Sequence, residues 1–542
     1  MARRGRDARD GIGRWRLPPV EVLAPWLAGG VSLVALAAAL RWSTYVAGGS
    51  DSYCYVSQAA SWLDGGLLAP QPAGFTPPWP HAALSLTPTG YIPSPSIPGA
   101  IAPMCPAGLS MTMAAFSALG GPAAAFLVVP LLGALAVWLA YCLGRELDRP
   151  ATGLLAAILV ATSPIVLHQV VQPMSDVPAM AWWLAAIVLA ARPGPRRAVA
   201  AGLAVSAAVL TRPNLAPLAG VIGLFLLARP RAEGPESSRV AGAVAFGLGV
   251  LPGAVLLAWI QYRLYGSPFS SGYGALDQLF AWSHVAPNLR RFPAWLVTTH
   301  TPIVCLAIAA PFVVRTHATW LASLCLAFSV AVFASYVAYI PYDDWWYLRF
   351  VLPALPLLLA LTAAVLTTLG ARLPGHLRTA AGVVCGAALA LFFVHTANAK
   401  GVFRLHAFES RFRDAGRYVA STLPERAVVL AVWESGSVRY YGGRLSILFD
   451  QIEPEWLDRV LAFLEAEGRP PYLLLEAWEE PAFRARFERH SQYGALDWPP
   501  MAQIGNDVRL YNPSDRARYY AGEATPMERV WPDTGGRRRP RR

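Results

Sequence analysis

The sequence predicts a polytopic α-helical membrane protein with a small α/β domain near its C-terminus. The chain has 542 residues, of which 55% are hydrophobic and only 14% charged, and its mean hydropathy is +0.40. Apolar runs of about twenty residues, the length that crosses roughly 30 Å of hydrocarbon, recur as far as residue 400. Beyond that point charged residues return and the apolar segments become short. A soluble globular protein of this size does not have this composition.

The apolar runs give eleven predicted transmembrane segments within residues 21–400. They lie near residues 21–41, 122–143, 151–169, 176–192, 197–212, 213–229, 240–264, 294–314, 318–340, 347–369 and 378–398. One further run, 102–119, begins with Pro103 and Pro106 and fits either a twelfth span or an interfacial helix.

Arginine positions choose between these two topologies, because short cytoplasmic loops collect positive charge. If segment 102–119 stays outside, every arginine cluster falls on the side of the N-terminus: Arg3, Arg4, Arg6, Arg9, Arg14, Arg16, Arg145, Arg149, Arg192, Arg196, Arg197, Arg229, Arg231, Arg239, Arg315, Arg372 and Arg378. We therefore expect a cytoplasmic basic tail (1–20), a signal anchor and an external first loop (43–121). The net charge of +12 is largely these arginines, so it does not indicate a nucleic-acid partner.

The region after Lys400 is predicted to form a small extracytoplasmic α/β domain over 401–514. Helical patterns cover 408–421, 455–467 and 481–490, and extended patterns cover 427–433, 472–476 and 508–511. The remaining tail, 515–542, is rich in arginine, proline and glycine and is predicted to be disordered.

Two aspartates at predicted external ends of spans are candidate catalytic residues. Asp51 follows a Gly-Gly-Ser turn at the head of the first loop, and Asp176 lies in the short turn between the third and fourth spans. Ionisable residues at such boundaries are functional candidates. The structural alternative is helix capping, by Ser50 or Asp51 in one case and by Ser175 in the other.

Three arginines on the same side are candidates for binding an anion. Arg349 begins a span from the external side, where a guanidinium can hold a lipid phosphate through two hydrogen bonds. Arg290 and Arg291 lie in the external loop before residue 294, where charge anchors for anionic lipid are the commoner role. His168, near the outer end of the third span, is a candidate ligand or proton relay, although a satisfied buried histidine is the simpler interpretation.

Cysteine and histidine patterns do not indicate a structural zinc site, and no phosphate-binding loop motif is present. Cys54 and Cys105 both fall in the external first loop, where oxidising conditions permit a disulfide. Two cysteines alone do not decide whether it forms.

Several short motifs occur in order along residues 20–400. They are Asp51-x-Tyr53 with Gly65-Gly66, Pro103-x-x-Pro106-x-Gly108, Tyr141-x-Leu143-Gly144-Arg145, Ala161-Thr162-Ser163-Pro164, Ser175-Asp176-Val177-Pro178-Ala179 and Arg349-x-x-Leu352-Pro353-x-x-Pro356. Together they resemble the GT-C superfamily, and within it the bacterial polyprenyl-phosphate-dependent branch that includes protein O-mannosyltransferases and the aminoarabinose and galacturonic acid transferases of lipid A.

The resemblance implies an inverting glycosyltransferase of the bacterial plasma membrane that takes a hexose or pentose from a polyprenyl phosphate. The acceptor would be an envelope lipid, polysaccharide or protein on the external face. Asp51 matches the first-loop acid and Asp176 the acid of the second external loop, with Arg349 expected on the donor phosphate. Tyr53, Tyr55 and His168 are expected to contact the acceptor or another part of the substrate.

Two departures from the family pattern bear on the chemistry. Some relatives carry two adjacent acids in the first loop, whereas Ser52 follows Asp51 here, so a divalent metal cofactor stays open. The lysine frequent near the phosphate has no evident counterpart, because Lys400 follows the last span. A multi-pass transporter and an inactive GT-C-like assembly subunit remain the alternatives to an enzyme.

Overall fold

The computed structural model describes residues 20–71, 74–229 and 236–531, and the described residues up to 400 are mainly helical. The basic tail predicted over 1–20 lies outside the described residues except for its last position. The α-helices up to residue 400 are Val20–Trp42, Asp51–Leu63, Ala82–Ser85, Ala107–Gly120, Val128–Leu147, Pro150–Thr162, Pro164–Val170, Asp176–Ala190, Pro195–Thr211, Leu218–Leu227, Glu236–Tyr265, Leu276–Leu279, Val285–His300, Ala310–Val313, Thr319–Val337, Leu355–Gly370 and Gly375–Ala399. Short 3₁₀ helices cover Pro122–Leu127, Pro213–Leu215, Trp282–His284, Pro302–Ala309, Thr316–Ala318 and Trp345–Ala354.

Six of the described helical segments are long and apolar enough to cross a membrane, and the number rises to eight if each of two bent pairs is one span. The six are Glu21–Trp42, Pro122–Leu147, Arg239–Tyr265, Thr319–Val337, Trp345–Gly370 and Leu377–Ala399. The predicted spans near 176–192, 197–212 and 213–229 are also helical, but these helices have fewer than eighteen residues. The count of eleven spans therefore stays a prediction.

The two bent pairs break at prolines. The helix ending at Thr162 continues from Pro164 at an angle of 60°, and the helix ending at His300 continues from Pro302 at 106°. Proline disfavours helical geometry in the residue before it, which explains both positions. The hydroxyl of Ser163 lies 2.8 Å from Nε2 of His300, so one hydrogen bond joins the two breaks.

The first loop is an ordered unit with helices and a small sheet. Its three strands, Ala69–Pro70, Tyr91–Pro93 and Ala100–Pro103, form an antiparallel sheet with the last strand in the centre. The ambiguous run near 102–119 contains the helix Ala107–Gly120, whose 14 residues span only about 21 Å. This helix is too short to cross a bilayer. Cys54 and Cys105 form a disulfide that ties the sheet to the helix Asp51–Leu63.

The C-terminal region is an α/β domain built on a six-stranded mixed sheet. Its strands are Val428–Leu430, Leu445–Ile447, Pro471–Glu476, Ala502–Ile504, Val508–Tyr511 and Glu528–Val530, and their spatial order is second, first, third, fifth, fourth, sixth. The α-helices are Leu405–Thr422, Ser435–Tyr440, Leu457–Ala466, Glu480–Phe487 and Pro513–Tyr520, with 3₁₀ turns at Val402–Arg404, Phe449–Gln451 and Pro454–Trp456.

The described part of the predicted disordered tail is folded, which corrects the boundary placed at 515. Asn512 caps the helix Pro513–Tyr520 by accepting a hydrogen bond from the backbone of Ser514. Strand Glu528–Val530 then pairs in parallel with Ala502–Ile504 and closes one edge of the sheet. The sequence analysis did not predict this helix and this strand, because edge strands and surface helices carry few apolar residues. Residues 532–542 lie outside the described part of the chain.

The first loop and the C-terminal domain pack together, so they do not act as separate units. Trp79 of the loop is buried in the apolar core of the domain. The backbone of Leu448 donates to the carbonyl of Ser85, and the backbone of Thr89 donates to the hydroxyl of Ser435. The C-terminal domain therefore covers the loop that begins with Asp51.

Charged residues lie at both ends of the helix Asp176–Ala190. Asp176 is its first residue, and Arg192 follows its last residue and pairs with Glu146. At the same end as Arg192, Arg315 lies 3.7 Å from Asp148. These predicted cytoplasmic charges are thus about 22 Å from Asp176, the length of a 15-residue helix.

Candidate active site

Asp51 is the first residue of the helix Asp51–Leu63, and the preceding turn fixes its position. Gly49 has a positive φ of 55°, a conformation that glycine adopts without strain. Gly48 has no space for a side chain, because the ring of Phe412 from the C-terminal domain occupies the place of a Cβ atom. The turn thus depends on two glycines and on contact with the C-terminal domain.

Arg349 holds the carboxylate of Asp51. Nη2 of Arg349 donates to Oδ2 of Asp51 over 3.0 Å. Arg349 lies in the 3₁₀ segment Trp345–Ala354, and its guanidinium also packs near the rings of Tyr347 and Phe350. The Asp51 side chain remains 39% exposed, so it is open to a substrate while one partner fixes its orientation.

Asp176 has a different environment, because it is buried between two arginines. Nη2 of Arg212 donates to Oδ1 of Asp176 over 2.7 Å, and Nη1 of Arg349 lies 3.9 Å from Oδ2. The Asp176 side chain is only 1% exposed. Asp51 and Asp176 both stand at helix N-termini, where the helix dipole favours a negative charge.

The capping alternative is not supported at either aspartate. Neither Ser50 nor Ser175 makes a side-chain cap hydrogen bond to its helix. The Ser175 hydroxyl instead accepts a hydrogen bond of 2.8 Å from Tyr55, and Nε of Arg212 lies 3.4 Å from it. The carboxylates of Asp51 and Asp176 are used in ion pairs across the fold.

Arg212 is a site residue that the sequence analysis did not single out. It directly follows the helix Pro195–Thr211 and comes before the 3₁₀ segment Pro213–Leu215. Besides Asp176 it approaches the hydroxyl of Tyr336, which also accepts a hydrogen bond from Asn214. The available signal was a lone arginine followed by proline at the end of an apolar run, because ionisable residues in such runs are rarely incidental.

The predicted substrate-contact residues take different positions. The Tyr55 hydroxyl is buried and reaches Ser175; burial raises the pKa of this phenol, which therefore stays protonated and donates. Tyr53 is not brought into the site, since its ring lies buried against Tyr91 and the backbone of Gly436. Both tyrosines therefore support the fold around Asp51.

His168 and Lys400 both contact the aromatic residues that precede Arg349. The His168 ring lies 5.2 Å from the centroid of Trp345 and stacks on Trp346 at 6.2 Å. The ammonium of Lys400 lies 4.8 Å from the centroid of Trp345. Lys400 therefore contacts the segment that carries Arg349, although in sequence it follows the last predicted span. The contact could not be predicted from the sequence, because Lys400 and Trp345 are far apart in the chain and only the fold brings them together.

The predicted phosphate-binding pair, Arg290 and Arg291, is not joined to Arg349. Both lie in the helix Val285–His300, where Arg290 is exposed. Arg291 forms an ion pair with Asp343, whose side chain is 88% exposed. Exposed pairs of this kind contribute little to stability, so these arginines remain available to anionic groups at the surface.

A metal-binding cluster is not found within the described residues, where no group of three or more His, Cys, Asp or Glu side chains has a suitable arrangement. Asp51 and Asp176 each have an arginine partner that occupies carboxylate oxygens.

An open groove of about 710 Å³ lies beside the far end of the Asp51–Leu63 helix. It is lined by Trp62, Gly65, Gly66, Leu67, Leu68, Ser96, Ile97, Trp259, Tyr262, Arg263 and Gly266. The 13-residue helix places this groove about 18 Å from Asp51. The groove therefore adjoins the candidate site without including its charged residues.

Comparison with known proteins finds one family model that matches part of the chain and several solved structures with a similar fold. A family model described as dolichyl-phosphate-mannose-protein mannosyltransferase matches residues 101–259. No curated protein sequence matches the chain significantly.

Solved structures resemble the whole chain at low sequence identity. ArnT from Cupriavidus metallidurans in the apo state has a TM-score of 0.55 at 11% identity, covering 90% of this chain and 97% of ArnT. ArnT bound to undecaprenyl phosphate has a TM-score of 0.53 at 13% identity, covering 86% and 94%. The Archaeoglobus fulgidus oligosaccharyltransferase AglB, in complex with an inhibitory peptide and a dolichol-phosphate, has a TM-score of 0.53 at 11% identity, covering 88% and 73%. The predicted resemblance is confirmed at the level of the fold, because the chain has the fold that ArnT and AglB share.

Proposed function

We propose that this chain, with its GT-C fold, is an inverting glycosyltransferase of the bacterial plasma membrane. It transfers a sugar from a polyprenyl-phosphate donor to a hydroxyl group of an envelope lipid, polysaccharide or protein on the external face. The observation that carries the proposal is Asp51, a partly exposed carboxylate oriented by Arg349 at the start of a helix. Relatives of the same fold bind undecaprenyl phosphate and dolichol-phosphate, which supports a donor of this class.

Asp51 is the general base in this reaction. The acceptor oxygen attacks the anomeric carbon of the sugar while its proton moves to a carboxylate oxygen of Asp51. The bond between the anomeric carbon and the phosphate oxygen breaks, and the polyprenyl phosphate leaves with the bonding electrons. A single displacement of this kind inverts the anomeric configuration.

Arg349 stabilises the charge of the leaving phosphate. Its Nη2 group donates to Asp51 over 3.0 Å, and its side chain is 15% exposed, so the positive charge lies directly beside the proposed base. The phosphate oxygen that gains negative charge as the bond breaks is stabilised by this fixed guanidinium, as expected for a preorganised electrostatic site.

Asp176 has a positioning role. Its carboxylate is almost fully buried and lies between Arg212 and Arg349, so an acceptor hydroxyl does not reach it directly. Asp176 fixes the position of Arg349, and Arg349 in turn orients Asp51. This division of roles differs from the expectation that both aspartates act on the substrate.

The proposal is tested by supplying the full-length protein in lipid nanodiscs with a polyprenyl-phosphate sugar labelled in the sugar, together with envelope extracts. We expect release of free polyprenyl phosphate and incorporation of label with inverted anomeric configuration. In sealed vesicles, a transporter would move the labelled donor across the membrane without cleaving it. Intact donor in every preparation would contradict the proposed function and favour a transporter or an assembly subunit.

A further inference from the structure

We propose that Trp433 and Trp478 form a binding platform for a sugar residue of the acceptor, so that the acceptor is a glycan or a glycolipid. This inference rests on the proposed function and specifies its acceptor. The two residues belong to the C-terminal domain, Trp433 after the first strand and Trp478 after the third.

The two indole rings form an exposed corner. Their centroids are 5.6 Å apart and their planes meet at 67°. Trp433 is 41% exposed and Trp478 is 55% exposed, although tryptophan side chains usually contribute to stability by being buried. A corner made of two exposed indoles presents two apolar surfaces to the same ligand.

Buried acids hold both tryptophans in place. The indole N–H of Trp478 donates to Oε2 of Glu476 over 2.8 Å, and the backbone N–H of Trp433 donates to Oε1 of Glu479 over 3.2 Å. The second oxygen of Glu479 accepts the backbone N–H of Glu476 over 2.8 Å. The indole ring of Trp478 and the backbone of Trp433 are therefore preorganised, which reduces the entropy lost when a ligand binds.

This framework is unfavourable for stability, which argues for a function. Glu434, next to Trp433, is completely buried, and the neighbouring Glu476 carboxylate opposes a negative charge on it. Burying a carboxyl group beside another carboxylate costs free energy. Features that reduce stability while they fix exposed side chains are typical of binding sites.

The platform lies beside the turn that positions Asp51. A Cβ atom placed on Gly49 would be 3.7 Å from the ring of Trp433, and Gly49 precedes Asp51 by two residues. The same domain places Phe412 against Gly48. A ligand on the indole corner is therefore next to the proposed base, as the acceptor must be.

The chemistry of the corner favours a sugar over a phosphate group. A pyranose ring has apolar C–H faces that fit an indole surface and hydroxyl groups that remain hydrated. The cation that faces the carboxyl groups under the corner is Arg411, which pairs with Glu476 and Glu409 while it packs on Phe408. A phosphate group bound to the two indoles would meet a cation that already forms ion pairs, together with several carboxyl groups. An anionic ligand is therefore disfavoured.

The test uses the full-length protein in nanodiscs and the methyl glycosides of glucose, mannose and galactose as probes. Saturation-transfer NMR reports which sugar C–H groups contact the protein. We expect binding of at least one probe by the wild type, and at least tenfold weaker binding by Trp433→Ala and by Trp478→Ala. Trp433→Phe should retain most of the binding, because it keeps an aromatic face. Trp531→Ala, a change at another exposed tryptophan of the C-terminal domain, is the matched control.

Unchanged binding in both alanine variants, or no binding by the wild type, would overturn the sugar platform. Brominated lipids in the nanodiscs distinguish a membrane anchor: if the quenching that they cause is smaller in Trp433→Ala and in Trp478→Ala than in the wild type, the corner contacts lipid and the inference fails. Transfer of labelled sugar to the envelope extract is measured on the same nanodisc preparations. A wild type that binds the probes but never transfers the label refutes the proposed function independently of the sugar-binding result.

Discussion

The buried ion pair between Arg212 and Asp176 is expected to couple fold stability to catalysis. Replacing Arg212 with methionine leaves the Asp176 carboxylate, which is only 1% exposed, without its 2.7 Å partner. Breaking a buried pair by removing one side typically costs 3–5 kcal/mol. Because Arg349 already lies 3.9 Å from Asp176 and partly compensates, we expect the lower end, about 3 kcal/mol.

The same change should slow transfer. Arg349 is expected to move towards the unpaired Asp176 and away from Asp51, which then loses its fixed orientation. The loss of about 3 kcal/mol expected for Arg212→Met lowers the equilibrium constant between folded and unfolded protein by a factor of about 150. Thermal unfolding in nanodiscs measures the stability effect, and transfer of labelled sugar measures the catalytic effect.

A double-mutant cycle isolates the interaction. Arg212→Met, Asp176→Asn and the double variant should be non-additive by about 2 kcal/mol, since removing both partners leaves no unpaired buried charge. Arg291→Met is the matched control, because its partner Asp343 is exposed and the expected loss is below about 1 kcal/mol. Additivity within about 0.5 kcal/mol would refute the coupling.

Two further predictions concern stability. Burial raises the pKa of the Glu434 carboxyl well above its ordinary value of 4.5, so the folded protein keeps a proton that the unfolded chain has lost. The stability of the fold is therefore undiminished by this carboxyl below pH 4.5 and decreases as the pH rises, because the unfolded chain then loses the proton more readily. Glu434→Gln should raise the melting temperature at pH 8 and leave it nearly unchanged at pH 4.5. The exposed Glu467→Gln should change the melting temperature at neither pH. An equal effect of Glu434→Gln at both pH values would contradict the buried proton. Replacing Cys54 and Cys105 with alanine opens a loop with a sequence separation of 51, for which the chain-entropy model gives a loss of about 4 kcal/mol in the free energy of unfolding, while Cys305→Ala should have little effect. Equal denaturation midpoints of the double alanine variant and the wild type would contradict this estimate.

The membrane domain was predictable because apolar runs and helical length are local properties of the sequence. Each predicted span lies on helical structure, including the bent segments. The lengths of individual helices were less predictable, because Pro164 and Pro302 interrupt runs whose composition is uniformly apolar. The strand Leu445–Ile447 was missed, because three residues carry no usable periodicity.

The candidate site was partly predictable. Asp51, Asp176 and Arg349 stand out as charges at the ends of apolar runs, and the structure joins them through one guanidinium. Partners chosen by tertiary packing could not be predicted in the same way. Nothing in the spacing of Arg212 or Lys400 shows that they approach residues more than thirty positions away.

The central claim is that Asp51 takes the proton of the acceptor, and Asp51→Asn tests it most directly. The amide keeps the size of the side chain and removes its basicity, so we expect transfer to fall by a factor of about 10²–10⁴ while the labelled donor still binds. Asp64→Asn, at the exposed far end of the same helix, is the matched control and should transfer at the wild-type rate. An Asp51→Asn variant that transfers sugar as fast as the wild type would contradict the assignment of Asp51 as the base.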